Sequence, residues 1–552
     1  MVVGVTRFPP TEIPGDRFRC SRWNFELFLG AVGGAFYSGA VPVQTPTAAS
    51  PHPVDGAFLA LPLRTLADAA LSAATAAGAS FADFRYERLL TADLSLRDTA
   101  VQSAVDSETT GFAVRVLVEG SWGFASAVIP TPEVAAATAR RAVQVARALA
   151  GVVAERVERA DEPVHSDVTW VSSYLLDPFS VPTQDKVALL LDRSERLLAT
   201  DGVSHTRAGV LSVKENKFYA DTAGTTTTQQ RVRLEPSLVA LAVDAASGGF
   251  ESLKSIAPPV GRGWEYLTGN GGWDFDAEVA SLPTDLAERV KAPSVTAGRY
   301  DLVIDPTNLW LTIHESIGHA TEYDRAIGYE AAYAGTSFAT PDKLNTLQYG
   351  SPVMNVTGDR DVEHGLATVG YDDDGVAGQS WDLIRDGILV GYQLDRVFAR
   401  RLGLPRSNGC AHADSPSHQP LQRMANVSLQ PDPAGGSTSE LISGIDDGIY
   451  VVGDKSWSID MQRYNFQFTG QRFYRIRGGQ LAGQVKDVAY QATTTDFWGA
   501  MDAVGGRQTY LLGGAFNCGK GQPGQVAAVS HGCPSARFRG INILNTVEEG
   551  AA

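Results

Sequence analysis

Two histidines and a glutamate stand together in the segment His314-Glu315-Ser316-Ile317-Gly318-His319. Imidazole nitrogens are common zinc ligands, and a catalytic zinc site keeps one coordination position for water. A carboxylate beside such a site can accept the proton of that water. The residue types therefore predict a zinc hydrolase in which His314 and His319 bind the metal and Glu315 is the general base. The segment does not supply a third ligand.

The spacing of the two histidines differs from the common metalloprotease motif His-Glu-x-x-His, in which the histidines are four residues apart. Here they are five residues apart. In a regular α-helix a step of five residues rotates by about 140°, which would direct the imidazoles away from each other. A π-turn closes this step, and Gly318 provides an easily deformed backbone just before His319. The sequence predicts a bulged or broken helix, and the alternative is two unrelated histidines on a core helix.

The residues before the motif predict the elements that hold it. Residues 300–304 resemble a short buried strand, and Asp305 and Pro306 supply a helix N-cap followed by proline at the first helical position. Apolar residues then recur at helical spacing: Leu309, Trp310, Ile313 and Ile317. The motif is therefore expected on a core-packed helix, about two turns from the start of that helix.

Further segments accompany the motif, which continues as His-Glu-Ser-Ile-Gly-His-Ala-Thr-Glu over residues 314–322. They are Tyr-Asp-Arg-Ala at 323–326, Tyr-Ala-Gly-Thr-Ser-Phe at 333–338, Asp-Asp-Gly-Ile-Tyr at 446–450 and Asn-Cys-Gly-Lys-Gly-Gln at 517–522. Through these segments and a stretch from Ala57 to Ser126, the chain resembles the TldD branch of the TldD/PmbA metalloproteases. The resemblance extends over about residues 57–550.

The resemblance implies the missing ligand. In this family two motif histidines and one C-terminal cysteine hold zinc, which corresponds here to His314, His319 and Cys518. It also implies peptide-bond hydrolysis, in which Glu315 accepts a proton from water and then protonates the leaving amine.

The residues by themselves leave alternatives for the third ligand. The pairs Cys410/His412 and His531/Cys533 have the same ligand chemistry as Cys518. Glu322, three residues after His319, is either an acceptor that orients a ligand histidine or a solvated helix residue. No side chain that would stabilise an oxyanion is identified from the sequence.

The resemblance also implies partners and substrates. It predicts an active site in a dimer, with a PmbA-type partner subunit that lacks the metal ligands, or with a second copy of this chain. An extended, unfolded peptide would pair its backbone with a sheet edge. Two other functions remain open, namely a noncatalytic peptide-binding or regulatory subunit and an amidohydrolase that tailors peptides. A noncatalytic member would be expected to lack one of the four site residues, and this chain has them all: His314, Glu315, His319 and Cys518.

Composition excludes some classes of protein. A chain of 552 residues, 44% hydrophobic and 20% charged, predicts a soluble globular protein of two or more domains. The formal net charge of −16 argues against a nucleic-acid-binding face, which is usually basic. Four distant cysteines form no disulfide framework, which suits a reducing compartment or metal binding. We expect a cytoplasmic protein without stable membrane insertion.

Residues 1–56 precede the family resemblance and predict an extension. Arg17, Arg19 and Arg22 stand before an apolar, glycine-rich run at 27–43, which has the outline of an export signal. The run is short for a membrane span. We favour a misplaced translation start, with true initiation near Val54, or a disordered extension, and keep export as the alternative.

The remaining pattern predicts an α+β fold. An α/β N-terminal half, 57–292, holds one or two subdomains (57–150 and 175–292), and a mostly β catalytic domain, 293–552, carries the distorted metal-binding helix. Helices are expected near 63–74, 132–149 and 183–200, and strands near 113–118, 122–125, 210–213, 217–220 and 234–243. Turns are expected at Asp374-Gly375, Asp386-Gly387, Asp447-Gly448 and Gly478-Gly479. The run 372–375 lacks the rest of a calcium-binding EF-hand loop, so a turn is the better interpretation.

Overall fold

A computed structural model describes residues 52–153, 155–243, 250–269 and 272–549 of the chain. The predictions of an export signal or a misplaced start concern residues that lie outside this part. Val54 is buried in the N-terminal core and the Asp55 side chain caps the first helix. The packed structure therefore includes Val54 and Asp55. The predicted domain boundaries all remain predictions.

The described residues of the N-terminal half form five α-helices, two of which the sequence pattern did not predict. They are α1 (Gly56–Leu59), α2 (Leu63–Ala76), α3 (Pro132–Ala150), α4 (Thr183–Leu198) and α5 (Phe275–Lys291). The predictions of α2, α3 and α4 are confirmed, and α3 begins as expected because Thr131 accepts a hydrogen bond from the backbone of Val134. Helix α1, which is four residues long, was not predicted, and neither was α5, since Pro283 interrupts its sequence pattern.

The N-terminal helices pack on one sheet. Its strands are β1 (Phe81–Arg97), β2 (Ala100–Val118), β3 (Ser121–Ala127), β4 (Val168–Val171), β5 (His205–Asp221), β6 (Thr226–Val243) and β7 (Phe250–Lys254). Their order is β3-β2-β1-β5-β6-β4, with β7 also on β6. All neighbours are antiparallel except β4 and β6. The arrangement is α+β, as predicted.

These strands are longer than the sequence pattern predicts, and β1 was not predicted at all. Strand β5 runs without a break through both predicted segments, 210–213 and 217–220. Between them it buries Lys214, Glu215 and Asn216, so polar residues stand where an apolar alternation would be expected.

The C-terminal half is mostly β, as predicted. Its helices are α6 (Pro306–Ile313), α7 (Tyr323–Ala326), α8 (Arg396–Arg401), α9 (Thr438–Ser443), α10 (Thr494–Gly499) and α11 (Thr546–Glu549). Its strands are β8 (Gly298–Ile304), β9 (Val356–Asp359), β10 (Ser380–Arg385), β11 (Ile388–Leu389), β12 (Ala411–His412), β13 (Leu421–Gln422), β14 (Asn426–Leu429), β15 (Asp447–Ile459), β16 (Asn465–Arg477), β17 (Gln480–Val485), β18 (Val488–Thr493), β19 (Met501–Val504), β20 (Leu511–Lys520), β21 (Gln525–Cys533) and β22 (Ala536–Asn545).

The main C-terminal sheet closes on itself. Its order is β15-β8-β22-β18-β16, and β15 also pairs with β16, which completes a ring. Strand β8 is the buried strand predicted before the motif, and α6 follows it directly. Strands β20 and β21 form a separate two-stranded sheet that packs against α6.

Three of the four predicted turns are confirmed. Asp386-Gly387 and Gly478-Gly479 connect adjacent strands with positive φ angles, and Asp374-Gly375 lies in a tight turn. The prediction for Asp447-Gly448 is wrong, because these residues begin β15, where both pair with β16 and Gly448 also pairs with β8. A Cβ atom on Gly448 would lie 2.4 Å from the carbonyl oxygen of Asp301. This glycine permits close strand packing and does not form a turn.

The two halves meet through buried polar contacts. Lys217 on β5 donates to Asp373, with Nζ and Oδ2 2.9 Å apart, and Arg115 on β2 pairs with Asp374. The Gln229 side chain makes two hydrogen bonds of 2.8 Å with the backbone of Tyr371. The carboxylates of the run 372–374 therefore join the halves as well as shaping a turn. Among the described helices, none has the length and apolar content to span a bilayer.

Candidate metal centre

Helix α6 carries the motif into a π-helical segment. The Asp305 side chain accepts from the backbone N–H of Thr307 at 3.0 Å, which fixes the start of the helix. The α-helical pattern ends at Ile313, and residues His314–Gly318 form a π-helix in which the N–H of His319 donates to the carbonyl of His314 at 3.0 Å. The distortion expected from the five-residue spacing is present, and the two imidazole rings lie 4.7 Å apart.

Buried side chains satisfy the backbone of this π-helical segment. Gln393 Nε2 donates to the carbonyl of Gly318 at 2.7 Å, and the Tyr349 hydroxyl donates to the carbonyl of Ser316. A Cβ atom on Gly318 would lie 2.7 Å from Met424 Sδ. Gly318 is helical, so its contribution is the space it leaves for Met424 and not the loose backbone that the sequence predicted.

Cys518 approaches the two histidines from strand β20. The register between β20 and β21 shifts between Ala515 and Cys518, which is a β-bulge of the kind that redirects side chains near functional sites. The ligand atoms of His314, His319 and Cys518 all lie within 4.8 Å of one another, and Cys518 Sγ is 3.7 Å from His319 Nε2. All three residues are buried.

Glu322 fixes the orientation of His319. Its Oε2 lies 2.7 Å from His319 Nδ1, so Nε2 of that ring faces Cys518. Glu322 is completely buried, which rules out the solvated alternative. Burial opposes ionisation of Glu322, but Lys520 and His319 outweigh it and hold its pKa well below the ordinary value. Lys520 Nζ lies 3.1 Å from Glu322 Oε1.

His531 fixes the orientation of His314, as Glu322 does for His319. His531 Nδ1 lies 2.9 Å from the carbonyl oxygen of Val427, which can only accept, so Nδ1 carries the proton. His531 Nε2 then accepts from His314 Nδ1 at 2.8 Å and leaves His314 Nε2 available for a metal. Burial holds the pKa of His531 well below its ordinary value, which favours this neutral form. Sequence reasoning missed this role, because His531 was considered only as an alternative ligand.

The charge state of Cys518 also suits a metal ligand. Burial opposes ionisation of its thiol, but His319 and Arg423 outweigh this effect and lower its pKa. Arg423 NH2 donates to the carbonyl of Cys518 at 2.5 Å.

Apart from His531, which contacts His314, the cysteines and histidines considered as alternative ligands do not join the converging group. Cys533 Sγ contacts the carbonyl of Pro306 at 3.7 Å, and Cys410 Sγ contacts Asn408 Oδ1 at 3.5 Å. His412 lies 3.6 Å from Asp373 in the contact region between the halves. Within the described part of the chain, the group of metal-ligating side chains that converges is His314, His319 and Cys518.

Glu315 and the three converging residues line a cavity of about 320 Å³. Both halves contribute to its wall. The N-terminal half supplies Glu235, Pro236 and residues 254–259, and the C-terminal half supplies part of α6, Trp457 and residues 511, 513–515 and 517–519 of β20. Glu315 Oε2 lies 2.7 Å from a guanidinium nitrogen of Arg463.

The donor set fits a zinc ion. Two imidazoles, each with its second nitrogen already hydrogen-bonded, converge with a thiol whose pKa is lowered. Such outer hydrogen bonds are typical of protein zinc sites, and three protein ligands leave a position open, as catalytic zinc sites do.

Family models match two parts of the chain. Residues 82–150 match PmbA/TldA metallopeptidase domain 1, and residues 297–545 match the PmbA/TldA metallopeptidase C-terminal domain. Together these segments cover more than half of the chain.

Curated relatives align along most of their length. A protein of Methanothermobacter thermautotrophicus named as a metalloprotease is 28% identical over 84% of this chain and 96% of its own length. A Saccharolobus solfataricus protein named as a zinc metalloprotease TldD homolog is 24% identical over 84% of this chain and 97% of its own length.

Solved structures share the fold. TldE from Thermococcus kodakarensis superposes with a TM-score of 0.61 at 14% identity, over 86% of this chain and 98% of its own. A Thermotoga maritima protein named for a proposed modulation of DNA gyrase has a TM-score of 0.68 at 16% identity, over 86% of this chain and 99% of its own. Fold, relatives and matched domains agree with the resemblance seen in the sequence, and the chain belongs to the TldD/PmbA family of metallopeptidases.

Proposed function

We propose that this protein is a zinc-dependent peptidase that hydrolyses unfolded or extended peptides. The observation that carries the proposal is the convergence of His314, His319 and Cys518 beside Glu315 at the wall of one cavity. Metal-assisted hydrolysis requires a set of metal ligands and a carboxylate base that line the same cavity.

His314 and His319 would hold the zinc ion through their Nε2 atoms and Cys518 through Sγ. When bound at such a set, zinc lowers the pKa of a water molecule and polarises a carbonyl group. Glu322 and His531 accept hydrogen bonds from the opposite ring nitrogens, which leaves the lone pair of each neutral imidazole on Nε2. The ligand set is therefore ready before the ion arrives.

Glu315 is the proposed general base. Its carboxylate lies at the cavity wall, next in sequence to a ligand histidine. There it can accept a proton from the attacking water and transfer the proton to the nitrogen of the leaving amine.

The cavity wall favours a substrate that is held by its main chain. Within the described part of the chain, β20 pairs with β21 alone, and its residues 511, 513–515, 517 and 519 line the cavity. Several of these residues are glycine or alanine, so a second backbone can come close. An extended peptide could add to this edge as a strand, which recognises backbone groups and tolerates many side chains.

A dimer is part of the proposal. The fold shared with TldE supports a PmbA-type partner subunit, with a homodimer of this chain as the alternative. We also propose that the protein acts in the cytoplasm, where such partners and unfolded peptides would meet.

Zinc content is the first test. Elemental analysis of the purified wild type, reconstituted with zinc, should give about one zinc per chain. Folded His314→Ala and Cys518→Ser variants should lose most of it, whereas Cys533→Ser, a buried cysteine outside the cluster, should keep it. A folded wild type that binds no zinc would contradict the proposal.

Glu315→Gln separates binding from catalysis. This variant should keep its zinc and lose hydrolysis of unfolded peptides, because an amide cannot accept the proton. The measurement is peptide cleavage by mass spectrometry with candidate partner subunits present. Full activity in this variant would refute Glu315 as the base, and a zinc-loaded wild type without hydrolysis would favour a noncatalytic binding role.

A further inference from the structure

The carboxylate of Glu315 is held from one side by a single guanidinium. Arg463 NH1 lies 2.7 Å from Glu315 Oε2, and the two side chains are only 13% and 7% exposed. Among the hydrogen bonds of the described residues, Arg463 is the partner of this carboxylate. A charge-assisted hydrogen bond at this distance and burial is strong enough to set a side-chain conformation.

Arg463 is itself fixed by the turn that carries it. The turn between β15 and β16 is built around Asp460, whose carboxylate accepts from the backbone of Gln462, Tyr464 and Asn465 at 2.8–3.0 Å. Arg463 has a positive φ of 63° in this turn. Its own carbonyl accepts from Thr494 Oγ1 at 2.8 Å.

The guanidinium has a second anchor. Arg463 NH2 lies 3.2 Å from the carbonyl oxygen of Ala334, which also accepts from Arg325. Two contacts on different nitrogens leave the planar guanidinium little freedom to rotate. The position of Glu315 Oε2 is therefore determined by elements that are remote from it in the sequence.

Arg463 contacts the Glu315 carboxylate from the side that faces away from the cavity. Glu315 lines the cavity, whereas Arg463 is not among the described residues that line it. Arg463 therefore contacts the carboxylate from behind the wall, where it holds Oε2 and leaves Oε1 available for proton transfer. Without it, the rotatable bonds of glutamate would allow several orientations of the carboxylate.

We propose that Arg463 is a positioning residue that fixes the carboxylate of Glu315 for proton transfer. This inference rests on the proposed function, in which Glu315 is the general base. Arg463 acts through Glu315, and it binds neither substrate nor metal.

The test compares Arg463→Met and Arg463→Lys with the wild type. In Arg463→Met, kcat should fall about 10–100-fold, the usual loss when an outer partner of a site residue is removed. KM should stay within about twofold, because uniform substrate binding is unchanged. Zinc content should equal that of the wild type, and Arg463→Lys should recover part of kcat.

Two further variants exclude a merely structural effect. Arg463→Gly suits the positive φ of this position, so its backbone should persist, and added methylguanidinium should restore part of kcat. Arg472→Met is the matched control, because Arg472 is a buried arginine on β16 that pairs with Asp285 at 3.0 Å, away from the cavity. It should leave kcat unchanged.

The outcomes separate this inference from the proposed function. Suppose that the wild type is active. Any one of three results in Arg463→Met would then overturn the role of Arg463 and leave the peptidase proposal standing: an unchanged kcat, a loss of zinc, or a change confined to KM. A zinc-loaded wild type that hydrolyses no peptide would overturn both.

Discussion

At the scale of single residues, the Nδ1 atom of each motif histidine has a fixed hydrogen-bond partner, which determines where the Nε2 atom points. His319 is oriented by Glu322, and His314 is oriented by His531, which is in turn fixed by the carbonyl of Val427. The two acceptors differ in kind, since one is a carboxylate and the other a neutral imidazole. The site therefore carries less negative charge than two carboxylate partners would give it.

His531 provides a prediction at this scale. His531→Ala should weaken zinc binding about 10–100-fold, because His314 Nδ1 loses its acceptor and the ring loses its fixed orientation. Chelator competition measures the affinity. His531→Gln, whose amide can accept from His314 and donate to Val427, should lose less.

His412→Ala is the control for this experiment, since His412 is also buried but lies away from the cluster. It should leave zinc affinity unchanged. Equal zinc affinity in wild type and a folded His531→Ala variant would show that His531 does not support the site.

At the scale of the element, the π-helical segment allows two histidines that are five residues apart to converge on one site. This segment is embedded in a core in which the buried side chains of Tyr349 and Gln393 donate to the carbonyls of Ser316 and Gly318. Tight packing against Met424 leaves no space for a side chain at residue 318. The segment is therefore specified by its neighbours as well as by its own sequence.

Gly318→Ala tests this packing. The added Cβ atom would overlap Met424, so we expect a loss of about 1–3 kcal/mol in the free energy of unfolding, measured by urea denaturation. Zinc binding should weaken as well if the segment shifts.

The compensating variant is Gly318→Ala with Met424→Ala, which removes the overlapping side chain. If the clash explains the loss, the double variant should be more stable than the sum of the two single effects predicts. Strict additivity would argue that residue 318 is sensitive for another reason.

At the scale of the whole molecule, the halves are joined by buried charges, and both halves line the cavity. Burial opposes ionisation of Asp374, but Arg115, Arg159 and Arg396 outweigh it and lower its pKa to about 2. Arg115 belongs to the N-terminal half and Arg396 to the C-terminal half. The Asp374 carboxylate therefore stabilises the contact between halves only while it is ionised.

This gives a pH prediction. Because the folded pKa of about 2 lies below the ordinary value of 3.8, the stabilising contribution is present above about pH 4 and is lost as pH falls toward 2. Asp374→Asn should cost about 2 kcal/mol of unfolding free energy at neutral pH. The difference from wild type should shrink between pH 4 and pH 2 in chemical denaturation experiments.

The exposed residue Asp201 is a suitable control, and Asp201→Asn should show no such pH-dependent difference. A difference between wild type and Asp374→Asn that stays constant from pH 7 to pH 2 would contradict the assignment.

The size of the cavity also predicts which substrates are accepted. Both halves wall a cavity of about 320 Å³, which can hold a short extended segment but no folded domain. One small disulfide-bonded protein, compared in its native form and in its reduced, carboxymethylated form, should be cleaved only when unfolded. Equal cleavage rates of the two forms by mass spectrometry would contradict a substrate held in this cavity as an extended chain.

Local sequence determined the motif, the need for a distorted helix at residues 314–319, the strand and cap that precede it, and the α+β class. These features depend on residues within a few positions of one another, where spacing, capping and periodicity act directly. The family resemblance added Cys518, which residue chemistry alone had left beside two alternatives.

Tertiary structure decided what depends on residues far apart in the chain. It placed Cys518 beside His319 through a bulge in β20, and it placed His531 and Arg463 behind His314 and Glu315. Strand β1 and the polar middle of β5 escaped prediction because their charged residues are neutralised by partners that lie far from them in the sequence, such as Asp373 for Lys217 and Asp177 for Lys214. A buried charge resembles an exposed one in sequence, and only the fold shows which partner neutralises it.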